Sequence, residues 1–569
     1  MSRRLTGRAA APGVALAPAA VIRPPTVSDA GETGTPDEER ATLDDALQRA
    51  AEQLEVLAAR VDRELGAEEA GIFEAHAAFA RDPELADRAR EAVAEGHSAV
   101  EAVTSAFESF RSLLAASESD YLAARAQDLD DVRDRVLALL TGGTFEVHAP
   151  GERSVIVAHE LSPSQTATIP RAVIAALVTE TGSPTSHAAI LARSLGVPAV
   201  VGATGIVDLA SDGVELAVDG HEGVLIVDPD DEERDRVRRR LDEDARRREQ
   251  LESLRGLPGA TADGHRIELA ANIGAEGDLE DAVAAGAEGC GLVRTEFLYL
   301  DRAAAPDVDE QADVVSRVLR TFPDHRVVVR TLDVGADKPL PFVDREDEPN
   351  PALGLRGIRL SLARPSLFRD QLRALLAARA DVGDRGGRLA IMFPLVSVPA
   401  ELIEARRHLV EVAAEHDHDL DGLEVGVMVE TPAAALAADR LAAHGDFLSI
   451  GTNDLLQYLF AADRLLSSVS EVADACDPIV LRLLRDVAAA AHAHDSWVGV
   501  CGEAASDPVT ATALVGLGVD ELSMTPAAIP EIKAALRDVT RADCGHALDT
   551  ALDRPDAESA RAALTTRPS

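Results

Sequence analysis

Lysine is almost absent from this sequence of 569 residues. Only Lys338 and Lys533 are present, so the 56 basic residues are nearly all arginine, against 99 acidic residues. The formal net charge of −43 disfavours nucleic acid and anionic membrane surfaces as partners, because both are polyanions. The acidic residues are spread along the chain, which is typical of a surface adapted to high salt, where charge repulsion is screened within about 3 Å. We therefore expect a halophilic protein.

Cysteine is also scarce, and long apolar runs are missing. Four cysteines, at positions 290, 476, 501 and 544, are far apart and form no CxxC pair, which disfavours a disulfide framework and a zinc site. No apolar stretch approaches the roughly 18 to 20 residues that cross a bilayer. The opening MSRRLTGRAAAPGVALAPAAVI interrupts its apolar part with Pro and Gly, unlike a signal peptide. We expect free thiols, no membrane insertion and a cytoplasmic location.

Changes in composition divide the first half of the chain. Residues 26–143 are rich in Ala, Glu, Arg and Leu, with apolar residues at helical spacing, which predicts a helical bundle. Residues 1–25 and 144–228 contain strand patterns such as VIVAHEL and AALVTE, and one helix, HAAILARSLG, that ends at Gly196. These two segments predict a single small α/β domain into which the bundle is inserted.

The second half alternates regularly between strands and helices. Residues 229–258 carry charges of both signs at helical spacing and predict a solvated linker helix. In residues 259–569 the strand candidates are IELAANI, GCGLVRTEF, RVVVRTLDV, LAIMFPLV, EVGVMVET, FLSIGTND, WVGVCGE and VDELSMT. Eight parallel strands separated by helices form a (β/α)8 TIM barrel. The predicted fold class is multidomain α/β with a C-terminal (β/α)8 barrel.

Polar residues follow five of the eight predicted strands. They are Arg294 and Glu296, Arg330 and Asp333, Glu430, Asn453 and Asp454, and Cys501 and Glu503. The carboxyl ends of barrel strands carry the functional residues. Arginine binds phosphate and carboxylate through two parallel hydrogen bonds, and carboxylates suit Mg²⁺. Singly, such an arginine could be a structural ion pair and such an acid a helix cap, but the recurrence predicts a site for a ligand with a phosphate and a carboxylate.

Cys501 has two interpretations. It follows the apolar run WVGV, where a free cysteine is usually a small buried hydrophobic residue. At the opening of a barrel, beside a metal, the thiol could instead donate a proton. The position alone leaves both alternatives open.

His187 is the candidate of the small domain. It stands at the start of HAAILARSLG, where Thr185 or Ser186 could cap the helix. The N–H groups and the dipole at a helix start favour anions, so they would stabilise a phosphoryl group on the imidazole. An isolated histidine there usually has a capping or exposed role, but the preceding Gly and Pro of TGSPTSH form a tight turn and favour a functional role.

Seven motifs in order resemble a known family. They are TSHAAILARSLGVPAVVG, GLVRTEFLYL, VRTLDVGADKPL, NPALGLRGIRL, GVMVETPAAA, SIGTNDLLQYLFAADR and GVCGEAASDP. With APGVA and IFEAHAAFARDPEL nearer the start, they resemble enzyme I of the phosphoenolpyruvate-dependent sugar phosphotransferase system over almost the whole chain. The resemblance implies an enzyme that phosphorylates itself from phosphoenolpyruvate, releases pyruvate and passes the phosphoryl group to the histidine phosphocarrier protein HPr.

The resemblance also implies residue roles. His187 would be the phosphohistidine and Cys501 would protonate the enolate. The substrate would be bound by Arg294, Arg330, Asn453, Asp454 and Arg464. Mg²⁺ would be bound by Glu430 and Asp454. Residues 26–143 would bind HPr, the barrel would form a homodimer, and the small domain would move between substrate and carrier about a hinge near residue 228.

Some positions depart from the family pattern. Gly182-Ser183-Pro184 replaces Gly-Gly-Arg, Gly335-Ala336-Asp337-Lys338 replaces Gly-Gly-Asp-Lys, and Asp477-Pro478 replaces His-Pro. None of these changes removes a residue with an implied chemical role, although the first two alter the loops near both sites.

Two other functions share part of this pattern. Pyruvate phosphate dikinase and phosphoenolpyruvate synthase need a nucleotide-binding domain of several hundred residues before the histidine. Only 186 residues precede His187, which is too few for such a domain and disfavours both enzymes. A regulatory relative could bind the carrier without catalysis, but His187, Cys501, Glu430 and Asp454 are all retained. The downstream acceptor, a sugar or dihydroxyacetone, cannot be read from these residues.

Overall fold

The computed structural model describes most of the chain. The described residues are 2–22, 34–65, 67–115, 128–142, 151–183, 186–275, 277–300, 302–334, 340, 342–343, 348–464, 466–470 and 472–566. They form two compact units, Met1–Arg247 and Arg248–Ser569. The division falls inside the predicted linker helix.

The first unit contains an eight-stranded sheet. Its strands are β1 Arg3–Thr6, β2 Arg8–Ala11, β3 Val14–Ile22, β4 Ser154–Ala158, β5 Ile174–Thr179, β6 Ala199–Val201, β7 Glu215–Asp219 and β8 Val224–Val227. Their order is β1-β8-β7-β3-β4-β5-β6-β2. The central β3, β4, β5 and β6 are parallel. Both β4 and β5 are buried along their whole length, as their continuous apolar sequences predict for parallel strands covered on both faces.

A helical bundle lies between β3 and β4 in the sequence. Its helices are α1 Pro36–Leu65, α2 Ala67–Ala80, α3 Pro83–Ala94, α4 Ala99–Ala115 and α5 Asp128–Leu140. Leu43, Leu47 and Leu54 of α1 are buried in one core with Phe73, Leu85, Phe107 and Val132 of the other helices. The apolar spacing thus places one face of each helix in a shared core.

Four more helices complete this part of the chain. They are α6 Pro163–Thr168, α7 His187–Leu195, α8 Ile206–Leu209 and α9 Asp231–Leu254. Helix α7 ends at Gly196, whose φ of 63° is the left-handed conformation that glycine adopts without a steric penalty. Helix α9 has no buried residue, in agreement with its charges of both signs.

The second unit contains a closed barrel of eight parallel strands. They are β9 Glu268–Ile273, β10 Cys290–Val293, β11 Arg326–Arg330, β12 Arg388–Phe393, β13 Glu424–Val429, β14 Phe447–Ile450, β15 Trp497–Val500 and β16 Glu521–Met524. Consecutive strands pair, and β16 closes the barrel on β9. Seven strands fall within a predicted run, and β12 begins one residue before its run, at Arg388. The predicted fold class is confirmed.

Helices surround the barrel strands. They are α10 Asp278–Ala285, α11 Val308–Thr321, α12 Gly357–Ala363, α13 Pro365–Val382, α14 Pro399–Glu415, α15 Pro432–Leu436, α16 Ala438–Ala442, α17 Thr452–Phe460, α18 Ser467–Ser470, α19 Pro478–His492, α20 Pro508–Leu517, α21 Ile529–Arg537, α22 Arg541–Leu552 and α23 Ala557–Thr565. Helix residues such as Val315, Leu372 and Leu484 share one core with strand residues such as Ile391 and Val427. This layer of apolar contacts fixes the strand ends, and with them the loops, in place.

No described helix is both long and apolar enough to span a membrane. All four cysteines are buried and unpaired, as expected.

Candidate functional site

The carboxyl ends of the barrel strands surround a cavity of about 850 Å³. Its lining includes every predicted residue of the barrel, namely Arg294, Arg330, Glu430, Asn453, Asp454, Arg464 and Cys501. These residues come from five different strand ends and one following loop, so the closure of the barrel brings them together. Among the described residues of the lining, five are arginines and seven carry a carboxyl group.

The carboxylates at two strand ends do not cap the helices that follow them. Thr431, not Glu430, caps α15 by accepting a hydrogen bond from the backbone of Ala434. Helix α17 begins after Gly451 without a side-chain cap. Glu430 instead accepts a hydrogen bond from the Leu395 backbone. The capping alternative therefore fails for both Glu430 and Asp454, whose oxygens face other partners.

Arg330 is buried between acidic side chains. Its guanidinium lies 3.1 Å from Glu296 Oε2 and 3.4 Å from Asp333 Oδ2. Burial acts to lower the pKa of Arg330, but Glu296 and Asp333 outweigh it and hold that pKa above its usual range. This arginine therefore has a structural ion pair as well as a place in the cavity lining.

Arg294 and Arg464 have different surroundings. The Arg294 side chain is exposed, lines the cavity and makes no hydrogen bond or ion pair with another described residue. Nη1 of Arg464 is 3.5 Å from Asp454 Oδ1, and its side chain is half exposed. Both guanidinium groups are therefore accessible to an anionic ligand.

Arg356 is a residue of this site that sequence reasoning missed. One of its nitrogens, Nη2, is 2.8 Å from both Asp333 Oδ2 and Asp454 Oδ2. Arg356 lies in a loop before α12 and not at a strand end, so the rule that singled out the other residues did not apply to it. The motif NPALGLRGIRL, which contains Arg356, was the available signal.

Three carboxylates form a group that could hold a cation. Oxygens of Asp333, Glu430 and Asp454 lie within 4.8 Å of one another. Asp454 Oδ1 is buried and has no hydrogen-bond partner among the described residues. Clustered carboxylate oxygens of this kind suit a hard divalent cation. Asp333 thus joins the two predicted ligands.

The pKa values of Glu430 and Asp333 are shifted in opposite directions by their surroundings. Burial, together with the nearby carboxylates of Asp333 and Asp454, raises the pKa of Glu430 to about 8. Burial also acts to raise the pKa of Asp333, but Arg330 and Arg356 outweigh it and hold that pKa below its usual range. The surroundings therefore favour the neutral form of Glu430 and the ionised form of Asp333.

Cys501, directly after β15, and Asn453, in the first turn of α17, both line the cavity. The Cys501 side chain packs with Met392, Met428 and other buried residues, and burial raises the pKa of its thiol to about 11. Asn453 Nδ2 donates to Glu503 Oε1, and the Glu503 backbone donates to Asn453 Oδ1. Both descriptions of Cys501, as a packed small residue and as a protonated thiol at the cavity, are compatible with this geometry.

His187 belongs to the first unit, where it is the first residue of α7. Ser186 is the N-cap residue, but its hydroxyl makes no capping hydrogen bond and is buried without a partner among the described residues. Of the two predicted caps, Thr185 or Ser186, Ser186 therefore does not cap the helix. Thr185, Pro184 and the segment 335–339 with Lys338 lie outside the described residues.

Sequence comparisons cover nearly the whole chain. The family described as PEP-utilising enzyme, PEP-binding domain matches residues 248–541. The PEP-utilising enzyme N-terminal family matches residues 6–125, and the mobile-domain family matches residues 150–223. The first of these matches alone spans more than half of the chain and includes all the barrel strands.

Several curated relatives share one name. Phosphoenolpyruvate-protein phosphotransferases are 45% identical in Haloferax volcanii, covering 88% of both chains, and 44% identical in Streptomyces coelicolor, covering 88% of this chain and 87% of the relative. The Staphylococcus carnosus protein of the same name is 40% identical over 95% of both chains. This chain therefore belongs to the phosphoenolpyruvate-protein phosphotransferase family, whose members are enzymes of phosphoenolpyruvate-dependent phosphoryl transfer.

Proposed function

We propose that His187 takes the phosphoryl group of phosphoenolpyruvate and passes it to a histidine phosphocarrier protein of the HPr type. The main support is the cavity at the barrel opening, where accessible arginines and clustered carboxylates converge. A ligand with a phosphate and a carboxylate would match the two kinds of group. Sugar or dihydroxyacetone phosphorylation, in the cytoplasm, would consume the phosphoryl group downstream.

The substrate would be held mainly by arginines. Arg294 and Arg464 are accessible, and Arg330 is fixed by Glu296 and Asp333, so the three could bind the phosphate and carboxylate oxygens through paired hydrogen bonds. Asn453 and Asp454 would complete the substrate contacts. Phosphoryl transfer requires chiefly positioning and charge neutralisation of this kind.

A divalent cation fits this lining. Among the described residues of the lining, seven carboxyl groups outnumber five arginines, so added positive charge would favour the binding of an anionic substrate. Asp333, Glu430 and Asp454 would hold Mg²⁺. Oδ1 of Asp454, which accepts no hydrogen bond from a described residue, is suited to it. When bound, Mg²⁺ supplies positive charge that stabilises phosphate oxygens.

The bond changes balance as follows. A ring nitrogen of His187 forms a bond to phosphorus, the bond between phosphorus and the enol oxygen breaks, and the electron pair leaves with the enolate. Cys501, protonated at neutral pH because burial raises its pKa to about 11, would give its proton to the enolate carbon and yield pyruvate. The thiolate is then reprotonated from water. In the second step the phosphoryl group passes to the carrier histidine.

Two further parts of the proposal concern partners. The bundle formed by α1 to α5 would bind the carrier, and His187 would move between the carrier and the cavity. The barrel unit would form a homodimer, as the resemblance to enzyme I implies. Burial of apolar side chains such as Leu353 and Leu436, which are 63% and 79% exposed, would favour such a contact.

Labelled phosphoenolpyruvate tests the proposal. With Mg²⁺ the protein should acquire acid-labile label on His187, release pyruvate, and lose the label when a carrier of the HPr type is added. His187→Ala should take up no label, whereas His159→Ala, which changes an exposed histidine in the same α/β part, should be labelled normally. Cys501→Ala should take up label roughly 100-fold more slowly, the smaller end of general-acid contributions.

Several results would contradict the proposal. Acid-labile label on the His187→Ala protein would exclude this histidine as the acceptor. An absolute requirement for ATP would favour a dikinase, and binding of the carrier without any uptake of label would favour a regulatory relative.

A further inference from the structure

The short helix α6 of the first unit is held by the helical bundle at both of its ends. At its start, Asp131 Oδ1 accepts a hydrogen bond from the Ser162 hydroxyl at 2.8 Å, and Oδ2 accepts one from the Ser164 backbone at 3.1 Å. In its last turn, the Ala167 carbonyl accepts a hydrogen bond from Arg60 Nη2 at 2.8 Å. Asp131 is on α5 and Arg60 is on α1, so side chains of two bundle helices hydrogen-bond to a helix of the α/β part.

Asp131 is a buried charge with partners on both sides. Its residue is 4% exposed, and Oδ2 is 3.3 Å from Nδ1 of the fully buried His76 on α2. Burial acts to raise the pKa of Asp131, but His76, Ser164 and Ser162 outweigh it and hold that pKa below its usual range. Because an ionised carboxylate is costly to bury without partners, Asp131 couples the position of α6 to that of α2 and α5.

The other side of α6 faces the helix of His187. Leu161 and Ile169, which flank α6, are buried in the same core as Ala188, Ala189 and Ala192 of α7. Helix α6 therefore lies between the bundle and α7, and a shift of α6 relative to the bundle would shift the start of α7 as well.

We propose that Asp131 and Arg60 are positioning residues that act through α6 and hold the start of α7 in register with the bundle for phosphoryl transfer to the carrier. The proposal rests on the proposed function, in which the carrier binds the bundle and receives the phosphoryl group from His187. Transfer between two proteins needs the phosphorus in line with the attacking nitrogen, and a displacement of about 1 Å can cost about 100-fold in rate. Uptake from phosphoenolpyruvate uses the cavity of the other unit and does not need this register.

The two half-reactions of the full-length protein separate these requirements. For Asp131→Asn and Arg60→Met, kcat/KM for transfer to a carrier of the HPr type should fall about tenfold or more. The rate of self-phosphorylation from phosphoenolpyruvate should stay within about twofold of the unsubstituted protein. Arg60→Lys keeps a donor for the Ala167 carbonyl and should restore transfer.

Asp130→Asn is the matched control. Asp130 precedes Asp131 on α5, but its side chain is 35% exposed and pairs with surface arginines such as Arg133. Its substitution should leave both half-reactions unchanged. If it lowers transfer as much as Asp131→Asn does, a general effect of charge on carrier binding replaces our proposal.

The proposal is overturned if transfer by the Asp131→Asn and Arg60→Met proteins is normal, or if both half-reactions fall together. Should Asp131→Asn fail to fold by circular dichroism, Arg60→Met decides, because it removes a partly buried hydrogen bond and leaves the buried carboxylate intact. If the unsubstituted protein passes no phosphoryl group to any such carrier, the proposed function itself has failed.

Discussion

At the amino ends of the barrel strands Arg326 contacts three glutamates, whereas at the carboxyl ends Arg294 makes no ion pair with a described residue. The Arg326 guanidinium is 2.9 Å from Glu268, 3.1 Å from Glu424 and 3.4 Å from Glu521. Its carbon lies 3.8 Å above the Trp497 ring, which in turn stacks on Phe447 at 4.4 Å. All six residues begin a strand.

The comparison shows that residue types alone do not identify a site. Both ends of the barrel contain buried arginines beside carboxylates. At the amino end the partners surround one arginine and an aromatic pair covers it, so the charges are used for stability. At the carboxyl end Arg294 is exposed, and Asp454 Oδ1 accepts no hydrogen bond from a described residue. These polar groups are available for a ligand.

The largest expected effect comes from Arg326→Met at the amino end. Removing the guanidinium leaves Glu268, Glu424 and Glu521 without their shared partner, so the free energy of unfolding should fall by about 3 to 5 kcal/mol. Urea denaturation measures this change, and the self-phosphorylation rate per folded molecule should be retained. A stability within experimental error of the unsubstituted protein would show that the cluster contributes little.

A smaller effect, on catalysis and not on stability, is expected from Arg294→Lys at the carboxyl end. Lysine keeps the charge but cannot form paired hydrogen bonds, so kcat/KM for phosphoenolpyruvate should fall about tenfold, equivalent to about 1.4 kcal/mol. The melting temperature should not change, because the side chain is exposed. An unchanged KM together with lost stability would place Arg294 with Arg326 as a structural residue.

A further effect, which depends on pH, concerns Glu521. Burial, then the nearby Glu268, raises the pKa of Glu521 to about 8. The folded protein therefore keeps a proton that the unfolded chain releases above a pH of about 4.3, so this group lowers stability progressively as the pH rises toward about 8. Glu521→Gln cannot ionise, and its advantage in melting temperature over the unsubstituted protein should increase between about pH 5 and about pH 8. A difference independent of pH would contradict the shifted pKa.

The sequence by itself determined the order of elements and most of the cavity lining. Alternating apolar runs and helical patterns specify eight barrel strands, and a closed parallel barrel necessarily gathers the residues that follow those strands, such as Arg330, Glu430 and Asp454. The helical spacing of Leu43, Leu47 and Leu54 specified the bundle. These are local patterns, so they can be read without knowing distant neighbours.

Only the tertiary structure decided which distant groups meet. Arg356, in a loop, pairs with Asp333 and Asp454. Arg326 pairs with glutamates of three other strands. Asp131 of α5 contacts His76 of α2 and hydrogen-bonds the start of α6. Neither these pairings nor the raised pKa of Glu430 is encoded in spacing along the chain. Hydrogen bonds and charge interactions act over a few ångströms of space, and burial changes their strength, so they become readable only when the folded neighbours are known.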